Sequence, residues 1–245
     1  MKKLLISFCG FVIISCNSER QKEQADMDIT VIRDITDRHE LQPEANSILG
    51  LYNLVKNKSA GASFRYHEIT DKVLVPIVSL HLPDVSDTKR INRKNEPFFR
   101  QRIILNFYDT IRKTLSLADT KSDSSTLAHS EIFKTLCDEI RLLSQSKSKN
   151  RILLVFSNLF ENSSLSVYEK QTKNLLIKNP LKIADKFERF HLLPENLSGI
   201  KVFFLFKPTT RDEDFDYLKM IDVYKHLLEP RGAKIIVQAT NNYLN

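Results

Sequence analysis

Tryptophan is absent from this 245-residue chain, and glycine occurs only five times. Neither G-x-G-x-x-G nor G-x-x-x-x-G-K-[ST] occurs, so the usual phosphate-cradling loops of nucleotide-binding folds are excluded. The histidines His39, His67, His81, His129, His191 and His226 show no H-x-H, H-E-x-x-H or H-x-x-x-H spacing, which leaves a zinc site unsupported. A G-x-S-x-G nucleophile elbow is also missing. In aspartyl-phosphate enzymes a second aspartate stands two residues after the nucleophile; after Asp34 that position is Thr36. Cysteine is limited to Cys9, Cys16 and Cys137, too few for a disulfide framework.

Charge is similarly uninformative about partners. The formal charge is +7, and Lys2 and Lys3 contribute two of it. The remainder permits loose attraction to anionic headgroups or nucleic acid and argues for neither. The aromatic residues fall mostly on predicted core faces and do not interleave with the basic ones, which disfavours a nucleic-acid platform. At 42% hydrophobic and 27% charged residues, the composition is that of a folded globular chain.

What is present begins at the N-terminus. Lys2 and Lys3 precede a short apolar run over residues 4–14, shorter than the roughly 20 residues a spanning helix needs and right for a signal-peptide core. The run ends Ile13-Ile14-Ser15-Cys16, which resembles the lipobox of bacterial lipoproteins. That resemblance implies cleavage after residue 15, acylation of the Cys16 thiol and attachment of the chain to a membrane of the cell envelope. Several acyl chains hold a protein at a membrane where one does not. Residues 16–27 are polar, without apolar periodicity, and read as a flexible tether. Cys137, inside an apolar helical pattern, reads as a small buried hydrophobe.

Residues 28–245 read as one α/β domain. Its first strand, in DITVIRDITDR (residues 28–38), ends in Asp34, followed by Thr36, Asp37 and Arg38. Ala45, Ile48, Leu49, Tyr52 and Val55 share one helical face. Residues 63–70 and 72–82 read as extended runs separated by Asp71, too close for anything but an antiparallel pair, and Pro76 puts one of them at a sheet edge. Residues 84–97 form a polar loop whose Lys89, Arg90, Arg93 and Lys94, with Arg100 and Arg102 beyond, make either a solvated flap or an anion contact. A helix to about residue 118 follows, then another carrying Ile132, Phe133, Leu136, Ile140 and Leu143. RILLVF (151–156) reads as a strand buried on both faces and ends in Ser157-Asn158. Ser166 and Glu169 have the spacing of a capping box opening a helix that breaks at Pro180 and resumes to Phe190. KVFFLF (201–206) is a further strand. Asp212, Glu213 and Asp214 open a helix to about residue 228, and residues 233–239 supply the last strand.

This succession predicts a doubly wound, mostly parallel six-stranded sheet with one antiparallel edge strand and helices on both faces. In the strand order 3-2-1-4-5-6 the topological switch lies between strands 1 and 4. The loops after residues 33 and 156 then share one crevice, joined by the loop leading into the helix near Ser130.

From residue 28 to residue 239 the chain resembles a von Willebrand factor A-type domain. That family opens with a strand followed by Asp-x-Ser-x-Ser, places a threonine before a later helix and ends its fourth strand in an aspartate. Asp34 matches the first aspartate and Thr36 the first hydroxyl. Ser130-Glu131-Ile132, with Leu136, is similar to the threonine motif in its T-D-I-x-x-A-L version, and Ser157-Asn158 falls where Ser-Asp is common. The resemblance implies a divalent cation, usually Mg²⁺, held by Asp34, Thr36, Ser130 and Asn158, with Asp37, Arg38 and Ser157 lining the crevice. Arg38 stands where the family has its second serine, and Asn158 where it has a carboxylate. Both changes weaken the attraction for a hard cation. Thr36 and Ser130 equally suit helix caps, and Asp34 equally suits a pair with Arg38.

The expected function is a membrane-tethered, non-enzymatic module that binds a protein partner through this crevice. A metal-dependent hydrolase using Asp34 and Asp37 with a histidine, and a purely structural subunit of an envelope assembly, are the alternatives.

Overall fold

The computed structural model describes residues 26–36, 41–69, 78–85, 96–121 and 129–243. The strands are β1 (Met27–Asp34), β2 (Ala62–Ile69), β3 (Val78–Leu82), β4 (Asn150–Phe156), β5 (Ile200–Leu205) and β6 (Lys234–Gln238). They form one sheet in the order β3-β2-β1-β4-β5-β6, in which β3 alone runs antiparallel. The helices are α1 (Ala45–Tyr52), α2 (Glu96–Lys121), α3 (Ile132–Gln145), α4 (Lys170–Lys178), α5 (Pro180–Phe190) and α6 (Arg211–Leu228). This is the doubly wound α/β fold expected from the order of elements. Among the described residues no helix is long and apolar enough to cross a membrane.

The apolar runs in β4 and β5 follow from burial on both sides, because successive side chains of a strand point to opposite faces. Ile152, Leu154, Phe156, Phe203 and Leu205 join Ile29 and Val31 against α1 and α2. Leu153, Val155, Val202 and Phe204 join Ile32 against α3, α4, α5 and α6. Gly199 and Gly232, which precede β5 and β6, have φ of 81° and 94°, values an L side chain rarely adopts. A Cβ on Gly232 would also meet Ser198 Oγ at 2.7 Å.

Several local expectations are corrected. Helix α1 stops at Tyr52, because Asn53 takes a left-handed conformation (φ 48°) and turns the chain. Leu54 is thereby buried and Val55 left 72% exposed, off the helix face assigned to it. Ser166 does not cap α4: its hydroxyl donates to Asn162 Oδ1 (2.8 Å), and the helix starts at Lys170. Pro180 opens a separate helix at the position where its missing N–H is harmless. A capping box does occur at α6, where Thr210 Oγ1 accepts from the Glu213 N–H (3.2 Å) and Glu213 reaches back to the Thr209 N–H (2.7 Å). Arg100 belongs to no solvated cluster. It is buried and donates to the carbonyls of Lys58 (2.8 Å), Pro83 (2.7 Å) and Ala60 (2.6 Å), tying α2 to the ends of β2 and β3. Asp71, Pro76, Lys89, Arg90, Arg93 and Lys94 lie outside the described residues, as do Cys16 and the rest of the N-terminal segment.

Candidate functional site

The strand register builds the site. Arg33 pairs with Phe156, so the next residues, Asp34 and Ser157, emerge side by side at the carboxyl ends of β1 and β4. In an open α/β sheet this switch point is where side chains are free to face a ligand. Asp34, 2% exposed, accepts from Ser157 Oγ at Oδ2 (2.8 Å). Its Oδ1 accepts from both the N–H (3.0 Å) and the hydroxyl (2.6 Å) of Thr36, an Asx-type turn that starts the loop after β1.

The loop after β4 is built in the same way. Ser157 Oγ accepts from the Leu159 N–H (2.9 Å), and Asn158 Oδ1 accepts from the Phe160 N–H (2.8 Å). Between these turns Leu159 is fully buried with φ 67°. A non-glycine residue in that region is strained by roughly 1–3 kcal/mol and persists only where surrounding packing enforces it. Farther along, Ser130 and Asn162 form a small antiparallel bridge. The Ser130 hydroxyl donates to the Phe160 carbonyl (3.3 Å) and accepts from the Asn162 N–H (3.1 Å). Ser130 therefore staples the β4 loop and does not cap α3.

The cap of α3 comes from a residue that the sequence patterns did not single out. Glu161, buried on the same loop, accepts from the Phe133 N–H (2.9 Å) and lies at the positive end of the helix. Burial pushes its carboxyl up to about 7 despite hydrogen bonds from Ser163 and the α3 backbone. Beneath it, burial and the neighbouring Glu161, Cys137 and Asp34 raise the Tyr224 phenol well above its ordinary value, keeping it neutral. Burial likewise pushes the Cys137 thiol up to about 12, in keeping with an inert packed side chain.

Of the residues expected at the crevice, Asp34, Thr36 and Ser157 are joined directly, while Ser130 and Asn158 are tied to the Phe160 segment. Asp37 and Arg38 lie outside the described residues. At the rim, Tyr168 is 51% exposed, stacks edge-on against Phe160 (ring centroids 5.6 Å apart) and has its hydroxyl 3.5 Å from Asn158 Nδ2.

Mg²⁺ demands near-octahedral oxygen ligation and favours carboxylates and water. Asp34 is the one carboxylate among the four residues assigned to it, and both its oxygens accept protein hydrogen bonds. The Ser130 hydroxyl and the Asn158 carbonyl oxygen are engaged with backbone as well. The described side chains fit a hydrogen-bonded crevice floor better than a cation cage. Histidine is the third member of the hydrolase alternative: His129 Nε2, next to Ser130, lies 3.5 Å from Glu131, His67 Nε2 lies 2.8 Å from Glu139, and His39 lies outside the described residues.

The His67–Glu139 contact belongs to a second polar cluster, between β1, β2 and α3. Arg65 donates from Nε to Glu139 Oε2 (2.9 Å) and from Nη2 to Thr30 Oγ1 (2.8 Å), and its Nη1 lies 3.2 Å from Asp28 Oδ1. Burial alone would raise the Glu139 carboxyl, but His67 and Arg65 hold it below its ordinary value. Asp28 and Thr30 are thus polar residues set between the apolar Ile29 and Val31 of β1, and the α3 face of that strand gives the reason. The sequence signal was their alternation with Ile29 and Val31, but their partners stand 35 or more residues away.

No protein-family model matches the chain, and no curated protein sequence matches it. Among solved structures, proximal thread matrix protein 1 from the mussel byssus is similar with a TM-score of 0.34 and 9% identity. The match covers 89% of this chain and spans 43% of that one. A likeness this remote carries no argument about function.

Proposed function

We propose that the chain is a lipid-anchored envelope protein whose α/β domain binds a protein partner through the crevice at the carboxyl ends of β1 and β4, without turnover. The observation that carries this reading is the pairing of a rigid floor with an accessible aromatic. Ser157 joins the two loops through Asp34, Thr36 turns the first of them, and Asn158 and Ser130 brace the second. Tyr168 then stands half-exposed on Phe160 at the rim. Tyrosine on a preorganised surface combines large contact area with a polar tip and little entropy to lose, which is why it dominates binding hot spots. Preorganised loops lower the ordering cost of association.

The test is capture from detergent extracts by the full chain with Cys16 intact, comparing it with Tyr168→Ala and repeating both in a metal chelator. Binding that survives chelation and weakens roughly tenfold or more in Tyr168→Ala is the expected result. Binding abolished by chelation favours a metal-mediated crevice. Equal capture by both proteins removes Tyr168, and with it this reading of the site.

A further inference from the structure

β6 is an outermost strand of the sheet, and among the described residues no strand pairs with its far side. Its sequence, KIIVQ, is β-branched at three successive positions and contains no proline; of the devices that blunt an edge it carries its short length and the single charge of Lys234. Ile235 is partly buried on the α6 side of the sheet and Ile236 on the α1/α2 side, while Val237 is 38% exposed.

The hydrogen-bond phase shows which backbone groups look outward. The Phe206 N–H donates to the Gln238 carbonyl (3.2 Å), so Gln238 aims its peptide groups at β5. Because a strand alternates these directions, Ile236 and Lys234 do the same, and Ile235 and Val237 aim theirs away from the sheet. An antiparallel partner therefore has to offer outward groups at two residues spaced by one. β6 itself meets that requirement. Two copies related by a two-fold axis at Ile236 place Ile235 of each opposite Val237 of the other, the pair whose N–H and C=O groups face outward. Lys234 then falls opposite Gln238, so no like charges oppose, and Ile236 faces its own copy across a non-hydrogen-bonded position.

We propose that β6 pairs antiparallel with the β6 of a second copy of this chain, centred on Ile236, to make one continuous sheet across a two-fold dimer. Such an interface is isologous and self-complementary, the commonest form of homo-oligomer. The carboxyl ends of β1 and β4 lie two strands away from this edge, so the pairing does not involve them.

Sedimentation equilibrium of the full chain in density-matched detergent, across the micromolar range, tests this against two variants. Val237→Pro deletes an outward N–H and leaves the bonds to β5 in place, since proline is tolerated at that side of an edge strand. Val237→Lys puts a charge on the edge without touching the backbone. The expected result is a concentration-dependent dimer for the native chain and a monomer for both variants, each with unchanged circular dichroism. Amide exchange at Ile235 and Val237 in the native chain should slow as concentration rises. A native chain that stays monomeric throughout overturns the proposal, and so does a dimer that persists in Val237→Lys. If Val237→Pro fails to fold, the lysine variant decides.

Discussion

Glu161 offers the sharpest test of how the crevice is held. Its carboxyl is buried against the first turn of α3 and sits at about 7 rather than the ordinary 4.5, with burial the leading cause. Because the folded value is the higher one, the folded state takes up this proton more readily than the unfolded chain. The associated stability is fully present below about pH 4.5 and declines as pH rises through 7. A shift of this size corresponds to about 3 kcal/mol between those limits. Glu161→Gln keeps an oxygen for the Phe133 N–H and has no proton to lose. The prediction is that the native chain and the variant have similar stability at pH 4.5, and that the variant is the more stable by up to about 3 kcal/mol at pH 8. Urea unfolding followed by far-ultraviolet circular dichroism, suited to a chain without tryptophan, measures both curves. Glu139 titrates in the opposite sense, its stabilising contribution being lost below the ordinary carboxylate range, so it stays outside this window. Parallel pH profiles for the two proteins would refute the argument, since they would mean that Glu161 is as well solvated in the fold as out of it.

Three further outcomes follow from the geometry. Arg65→Ala leaves Asp28 and Glu139 as buried carboxylates without their shared cation and should lower stability by roughly 3–5 kcal/mol in denaturant titration, with Glu139→Gln restoring part of the loss in the double variant. Arg100→Lys should destabilise nearly as much as Arg100→Ala, by about 2–3 kcal/mol in the same assay, because an ammonium cannot reach three carbonyls from one planar fork. Cys16→Ala should abolish incorporation of labelled fatty acid and release the chain from membranes on fractionation, while continued labelling would place any lipid on another residue.

Much of the architecture was legible in the sequence because it depends on patterns that local physics enforces. Apolar runs without alternation marked β4 and β5 as strands covered on both faces, and the order of strands and helices was enough to place the switch between β1 and β4. Asp34 and Ser157 were legible as neighbours for the same reason, Asp34 being the last residue of one central strand and Ser157 the first residue after the other. Boundaries failed where a backbone conformation decided them, as at Asn53, or where a hydroxyl found a better acceptor than its own helix, as at Ser166.

The amino-acid sequence by itself determined the periodicities, hence the α/β class, the strand order and the two loops that meet. Only the tertiary structure decided what those loops do on meeting, because a side chain's partners lie far away along the chain. Glu161 caps a helix that begins 29 residues earlier, and Arg65 joins carboxylates on β1 and α3. Asp34 was legible as an acid at a strand end. That both its oxygens would be held by Thr36 and Ser157 depended on the register between β1 and β4, which folding alone sets.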